Sequence, residues 1–184
     1  MQKKVLSEID LYFGKIEMPK GFDIDRQKIK NDIINSYIKD EGLTDNKRSY
    51  AYSDYKVSFS QPLQWLQDYL RDHWRSEYGR TLVPKLMWGN VFDYNQKSFT
   101  RNTVDPVDLR NSPDYTLIYG VDCGEDKKAG VIIEYDDNRR KGRDWHIELK
   151  NNEFVMFPST NKYFIPPNKS KKLNVFLTIT YEYI

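Results

Sequence analysis

The chain has 184 residues, 29 basic against 27 acidic, with 39% hydrophobic residues. That is enough for one domain, residues 1–184, with a sizeable core, and too evenly charged for a protein whose main work is to neutralise phosphates, so nucleic acid is not an expected partner. The single cysteine, Cys123, excludes an intramolecular disulfide and a cysteine-based zinc cluster, and the lack of a long apolar stretch predicts a soluble protein with no signal peptide and no membrane partner.

In chain order, residues 1–80 read as a helical and loop-rich part. Over residues 25–39 an apolar stripe of Ile29, Ile33, Ile34, Tyr37 and Ile38 recurs at helical spacing. Asp23 or Asp25 can cap its start, and Gly42 lies just past its end. Residues 43–59 are polar and Tyr-rich, which predicts a long loop. Ser60 then has the character of an N-cap, with Pro62 in the first turn. Leu63, Leu66, Leu70 and Trp74 continue an apolar face as far as the stop at Gly79.

Residues 81–184 read as strands: LVPKLMWGNVF, DYTLIYGVD, GVIIEYD, DWHIELK, EFVMFPS, KYFIPP and LNVFLTITYEY, separated by turn residues. In the last run Leu173, Val175, Leu177, Ile179, Tyr181 and Tyr183 share one face, and Asn174, Thr178, Thr180 and Glu182 the other. Residues 136–142 read as an exposed hairpin tip. Helices followed by antiparallel strands predict an α+β fold, two helices preceding a double-stranded β-helix or jelly roll. Trp88, Trp145, Phe157 and the Leu173–Tyr183 face are expected between its two sheets.

Several polar groupings need weighing. Asp144, His146 and Glu148 alternate on one face of a strand, as a metal site would require, but the outer face of a half-exposed strand has the same pattern and is the commoner case. Arg139, Arg140, Lys141 and Arg143 are flanked by acids and read as a solvated tip. His73, beside Trp74, reads as a packed or capping residue. Acids next to Cys123 disfavour a thiolate and predict an inert thiol. Tyr50, Tyr52 and Tyr55 suit protein contact better than base stacking, since little basic charge interleaves them. Residues 105–116 (DPVDLRNSPDYT) offer Arg110 and Tyr115 for contact, or form a turn fixed by Pro106 and Pro113.

The closing segment, EFVMFPSTNKYFIPPNKSKKLNVFLTITYEYI, resembles the last strands of the 2-oxoglutarate/Fe(II) oxygenases: a strand running into FPS, a PPN turn and a long final strand. The likeness spans residues 81–184 and includes a Trp-Gly-Asn strand, Trp88 to Asn90, similar to the family's Trp-x-Asn. It implies that Thr103-Val104-Asp105 stands at the family's His-x-Asp pair. Tyr163 stands at the distal His, and Asn174 near the Arg that grips 2-oxoglutarate. Iron in such a site is held by two imidazoles and a carboxylate, and the co-substrate by a bidentate cation. Only the carboxylate is retained.

The resemblance therefore implies an oxygenase shell with no catalytic residue, metal or cofactor, used as a protein-binding or assembly module. Its likeness to proteins of marine tailed phages implies a virion or host-cytoplasm location, with other virion proteins or a second copy as partner. The rival reading is a divergent oxygenase with a metal site rearranged among Asp105, His146 and Tyr163. A small-molecule-binding jelly roll is a third, and would need an apolar pocket with a few convergent polar groups.

Overall fold

The computed structural model describes residues 9–41, 55–57, 59–124, 129–138 and 141–184. Helix α1 (Arg26–Glu41) starts where expected: the Asp25 carboxylate accepts from Lys28 N at 2.9 Å, so Asp25 is the cap. Ile29 and Ile33 are fully buried. Gly42 lies outside the described residues. Helix α2 (Gln61–Tyr78) buries Leu63, Leu66, Leu70 and Trp74, the face its spacing predicts. Ser60 occupies the N-cap position in extended backbone but makes no side-chain cap bond. The helix ends on Gly79, whose φ of 65° is the left-handed conformation that terminates a helix without a Cβ penalty.

Among the described residues, nine strands form two sheets. They are β1 (Tyr12–Lys15), β2 (Tyr55–Lys56), β3 (Leu82–Phe92), β4 (Tyr115–Asp122), β5 (Ala129–Asn138), β6 (Lys141–Leu149), β7 (Glu153–Pro158), β8 (Lys162–Phe164) and β9 (Asn174–Tyr183). The larger sheet has the order β1-β7-β4-β9-β3-β2 and the smaller β6-β5-β8, with antiparallel pairing throughout. An isolated antiparallel bridge from Arg101 to Tyr163 extends the smaller sheet beyond β8. This is the α+β double-stranded β-helix that the pattern of elements predicts. The short strands β1 and β2 are additions. β2 lies within the stretch expected to be loop, and it forms because Tyr55 and Lys56 find Gly89 and Trp88 on the edge of β3. The β5–β6 hairpin also runs further than expected, to an Asn138–Lys141 pair.

The larger sheet is covered on both faces. One face carries Val91, Leu117, Tyr119, Val175, Leu177 and Ile179, which pack under the helices. The other carries Phe92, Ile118, Val155, Phe157 and Phe176, which meet Val131, Ile133 and Ile165 across the space between sheets. Two expectations are corrected here. The apolar face of β9 lies against the helices, not between the sheets; the inter-sheet face is the mixed one, with Asn174, Phe176, Thr178 and Thr180 all buried. Period two shows which residues share a face, and it does not say which layer that face meets. Trp145 sits beside Ile133 on the inward side of β6, yet it is 55% exposed because β6 is the outermost strand of the smaller sheet among the described residues. Asp144, His146 and Glu148 are exposed, as an outer strand face should be.

Candidate functional site

Between the sheets, at the end where β3 and β9 face the Arg101–Tyr163 bridge, lies an open cleft of about 960 Å³. Strand geometry sets its lining. On β3 and β9 the residues alternate, so Leu86, Trp88 and Thr180 turn to the cleft while Gly89 and Leu177 turn to the helices. Arg101, Thr103 and Tyr163 form the opposite wall. Backbone bonds lock that wall: Arg101 N donates to Tyr163 O at 2.7 Å, and Tyr163 N to Arg101 O at 3.0 Å. The Tyr163 ring stands edge-on to Phe157 with centroids 5.3 Å apart.

Thr103 and Tyr163, which the resemblance leads us to expect at imidazole positions, both reach the cleft. Their chemistry differs from that of ligands. The Thr103 hydroxyl is 2.6 Å from that of Thr116, which is 2.8 Å from that of Ser159, and Thr103 also donates to Ser159 O at 3.4 Å. This chain of hydroxyls satisfies itself within a buried polar pocket. Asp105 does not line the cleft. It is exposed, its carboxylate accepts from Val107 N at 2.9 Å, and its own N–H donates to Ser112 Oγ at 2.9 Å. The carboxylate holds a turn. Asn174 is also remote from the cleft: buried at the start of β9, it accepts from Gly124 N at 2.9 Å. His146 and His73 are both exposed, the latter stacked on Tyr69. Among the described residues, no three His, Cys, Asp or Glu side chains come together where one metal ion could be held. The donor set at this site does not fit Fe(II).

Hydrogen bonds tie down the rim of the cleft. Residues 105–116 contain a short 3-10 turn (Leu109–Asn111) capped by Asp108, and Ser112 Oγ donates to Asp108 O at 3.0 Å. Lys85 ties this loop to β3 by donating to Asn111 O at 2.8 Å, and it also lies 3.6 Å from Glu182. The loop nonetheless presents Val107 at 93% exposure and Leu109 at 67%, with Arg110 exposed beside them. Tyr115 points elsewhere, into a cluster with Tyr12, Trp74 and Tyr183, and burial raises its pKa. Tyr50 and Tyr52 lie outside the described residues.

Sequence reasoning passed over Lys85 and Arg101, the cations of the cleft, and the Thr103–Thr116–Ser159 chain.

Cys123 is buried, and its thiol is pushed up to about 12, by burial first and then by Asp122 and Glu153. The raised value means that the folded state holds this proton more tightly than the unfolded chain. The resulting stability is present below pH 9, the ordinary thiol value, and is lost as pH rises from there towards about 12. Alkylation at pH 8 should therefore be slow in buffer and fast in denaturant. Equal rates would show that the thiol is open to solvent.

No family model matches the sequence, and no curated protein does. Solved structures do match. AviO1 from Streptomyces viridochromogenes Tue57 is 14% identical, with 92% of this chain and 89% of that one covered at a TM-score of 0.60. The viral collagen prolyl hydroxylase vCPH from Paramecium Bursaria Chlorella virus-1, in its 2OG complex, is 12% identical, with coverage of 93% and 94% at a TM-score of 0.60. An oxidoreductase of the 2OG-Fe(II) oxygenase family from Burkholderia pseudomallei is 8% identical, with 66% and 56% covered at 0.51. At such identities the likeness is one of fold: this chain shares the double-stranded β-helix of those structures.

Proposed function

We propose that this chain is an oxygenase-fold protein that has kept the cleft and given up iron chemistry, and that it works by binding a protein partner at the cleft's rim. One observation carries the reading. Of the three positions that would form the metal site, Thr103 is engaged in a hydroxyl chain, Asp105 caps its own turn outside the cleft, and Tyr163 is a phenol. What remains is a preformed rim loop offering Val107, Leu109 and Arg110, an apolar pair beside the cation type most favoured at interfaces. Partners of this class include a second copy or other proteins of a virion, the setting implied by the closing segment's resemblance to phage proteins.

The test is affinity capture and sedimentation of the parent chain against a Leu109→Asp, Arg110→Glu double variant. The variant should lose partner or self-association by about tenfold or more with an unchanged Tm, and Asp105→Ala should matter little to binding. Equal association by parent and variant would remove the rim from the account.

The comparisons speak more directly for a second reading, a divergent oxygenase. The fold likeness runs over 92% of the chain in AviO1, and the cleft is open and large enough for a substrate. On that reading, Asp105→Ala abolishes turnover and the rim variants alter substrate affinity.

A further inference from the structure

Strand β3 carries a β-bulge at the mouth of the cleft. Pro84 pairs with Tyr181 on β9 and Leu86 with Thr180, so Lys85 is the extra residue of the ladder. The Thr180 hydroxyl closes the gap: it accepts from Leu86 N at 3.1 Å and donates to Leu86 O at 3.5 Å. A bulge re-aims side chains and is found most often beside functional sites. Here Lys85 joins Leu86 in lining the cleft and reaches the rim loop, where strict alternation would have sent it to the opposite face.

The ammonium is held in place but its donors are not used up. It donates to Asn111 O at 2.8 Å. The nearest carboxylate among the described residues, Glu182, stands at 3.6 Å, beyond the reach of about 2.9 Å that marks a charge-assisted bond. Glu182 is half-exposed, so solvent weakens that pairing further. The Lys85 side chain is itself 25% exposed and open to a ligand. The described residues that line the cleft include a second cation, Arg101, and no Asp or Glu. Two uncovered apolar side chains lie on either side of the ammonium: Leu86, next to it in the strand, at 66% exposure, and Leu109, two residues before Asn111, at 67%.

We propose that Lys85 is the recognition cation of the rim, and that the partner's binding segment is a short acidic one whose Asp or Glu carboxylate it takes, with apolar neighbours that cover Leu86 and Leu109. This rests on the reading of the rim as a protein-binding surface and gives the partner a chemistry. The site is separate from Asn174, the position that resembles the family's 2-oxoglutarate-binding Arg and that does not line the cleft. An ammonium has three donors, so one N–H keeps Asn111 O while another takes the carboxylate. The bulge and the Asn111 carbonyl fix the ammonium before the partner arrives, so little side-chain freedom is lost on binding.

The test titrates the full chain by calorimetry with the peptide acetyl-Ala-Leu-Glu-Leu-Ala-amide and with the same peptide carrying Gln in place of Glu. The Glu peptide should bind saturably and about tenfold more tightly than the Gln peptide at low salt, and the gap should narrow as salt is raised. Lys85→Met should abolish the gap and Lys85→Arg should keep most of it, a rescue that a lysine serving only to brace the loop would not show. Should Lys85→Met fail to fold, the two peptides on the parent and on Lys85→Arg still decide. Equal affinity for the two peptides, with both weakened by the Leu109→Asp, Arg110→Glu double variant, would overturn the role of Lys85 and leave the rim reading standing. Lack of saturation by the Glu peptide, or a gap that survives Lys85→Met, would also overturn the proposal. So would acetate binding as tightly as the Glu peptide, since the site would then take a small anion.

Discussion

Phe157→Ala is expected to destabilise the fold by about 3–5 kcal/mol, and Trp145→Ala by about 1 kcal/mol or less, in equilibrium denaturation. The two residues face the same space and line one pocket, but only Phe157 is enclosed, at 1% exposure, with Tyr163 edge-on to it. Removing its ring leaves a cavity between the sheets that β7 and β8, locked in their ladders, cannot close. Trp145 loses little because solvent already reaches more than half of it. A reversed order of the two losses would mean that the register of β6 is wrong by one residue, since such a slip exchanges the faces of a strand.

The second large effect concerns the seat of helix α1 on the larger sheet. A Cβ built on Gly89 would lie 2.5 Å from two carbons of Ile33 and 2.7 Å from a third, and Ile33 is fully buried. Gly89 is therefore the place where a glycine in mid-strand lets a helix approach closely. Gly89→Ala should cost about 1–3 kcal/mol through overpacking, and Ile33→Ala about 2–5 kcal/mol through the cavity it leaves. Together they should cost less than the sum by more than about 0.5 kcal/mol, because the new methyl fills part of the space that Ile33 vacates. Strict additivity of the two would show that α1 does not cross the sheet at this point.

Much of the architecture was legible because each element carries its own signal. The α2 face of Leu63, Leu66, Leu70 and Trp74 and the αL stop at Gly79 follow from spacing and backbone chemistry alone. The strands of residues 81–184 were legible for the same reason. What the pattern could not show was the layering: β9 is buried on both faces, so its polar positions, Thr178 and Thr180, read as an outer face although they lie between the sheets. Nor could it show that Trp145 lies on an outermost strand, because edges are decided by the strand order. At the site, Thr103 and Tyr163 reach the cleft, whereas the fate of Asp105 depends on a local competition that spacing does not reveal. A short carboxylate two residues before an unpaired backbone N–H makes an Asx turn, and here that bond takes Asp105 away from the cleft.

The central claim is that the cleft lacks iron chemistry, and turnover tests it most directly. The purified chain, supplied with Fe(II), ascorbate and 2-oxoglutarate under air, should release no succinate above the protein-free rate, and calorimetry with Mn(II) should show no stoichiometric site, for the parent and Asp105→Ala alike. Fe(II)-dependent succinate release that Asp105→Ala abolishes, or tight binding of one metal ion per chain, would contradict the account and establish the divergent oxygenase in its place.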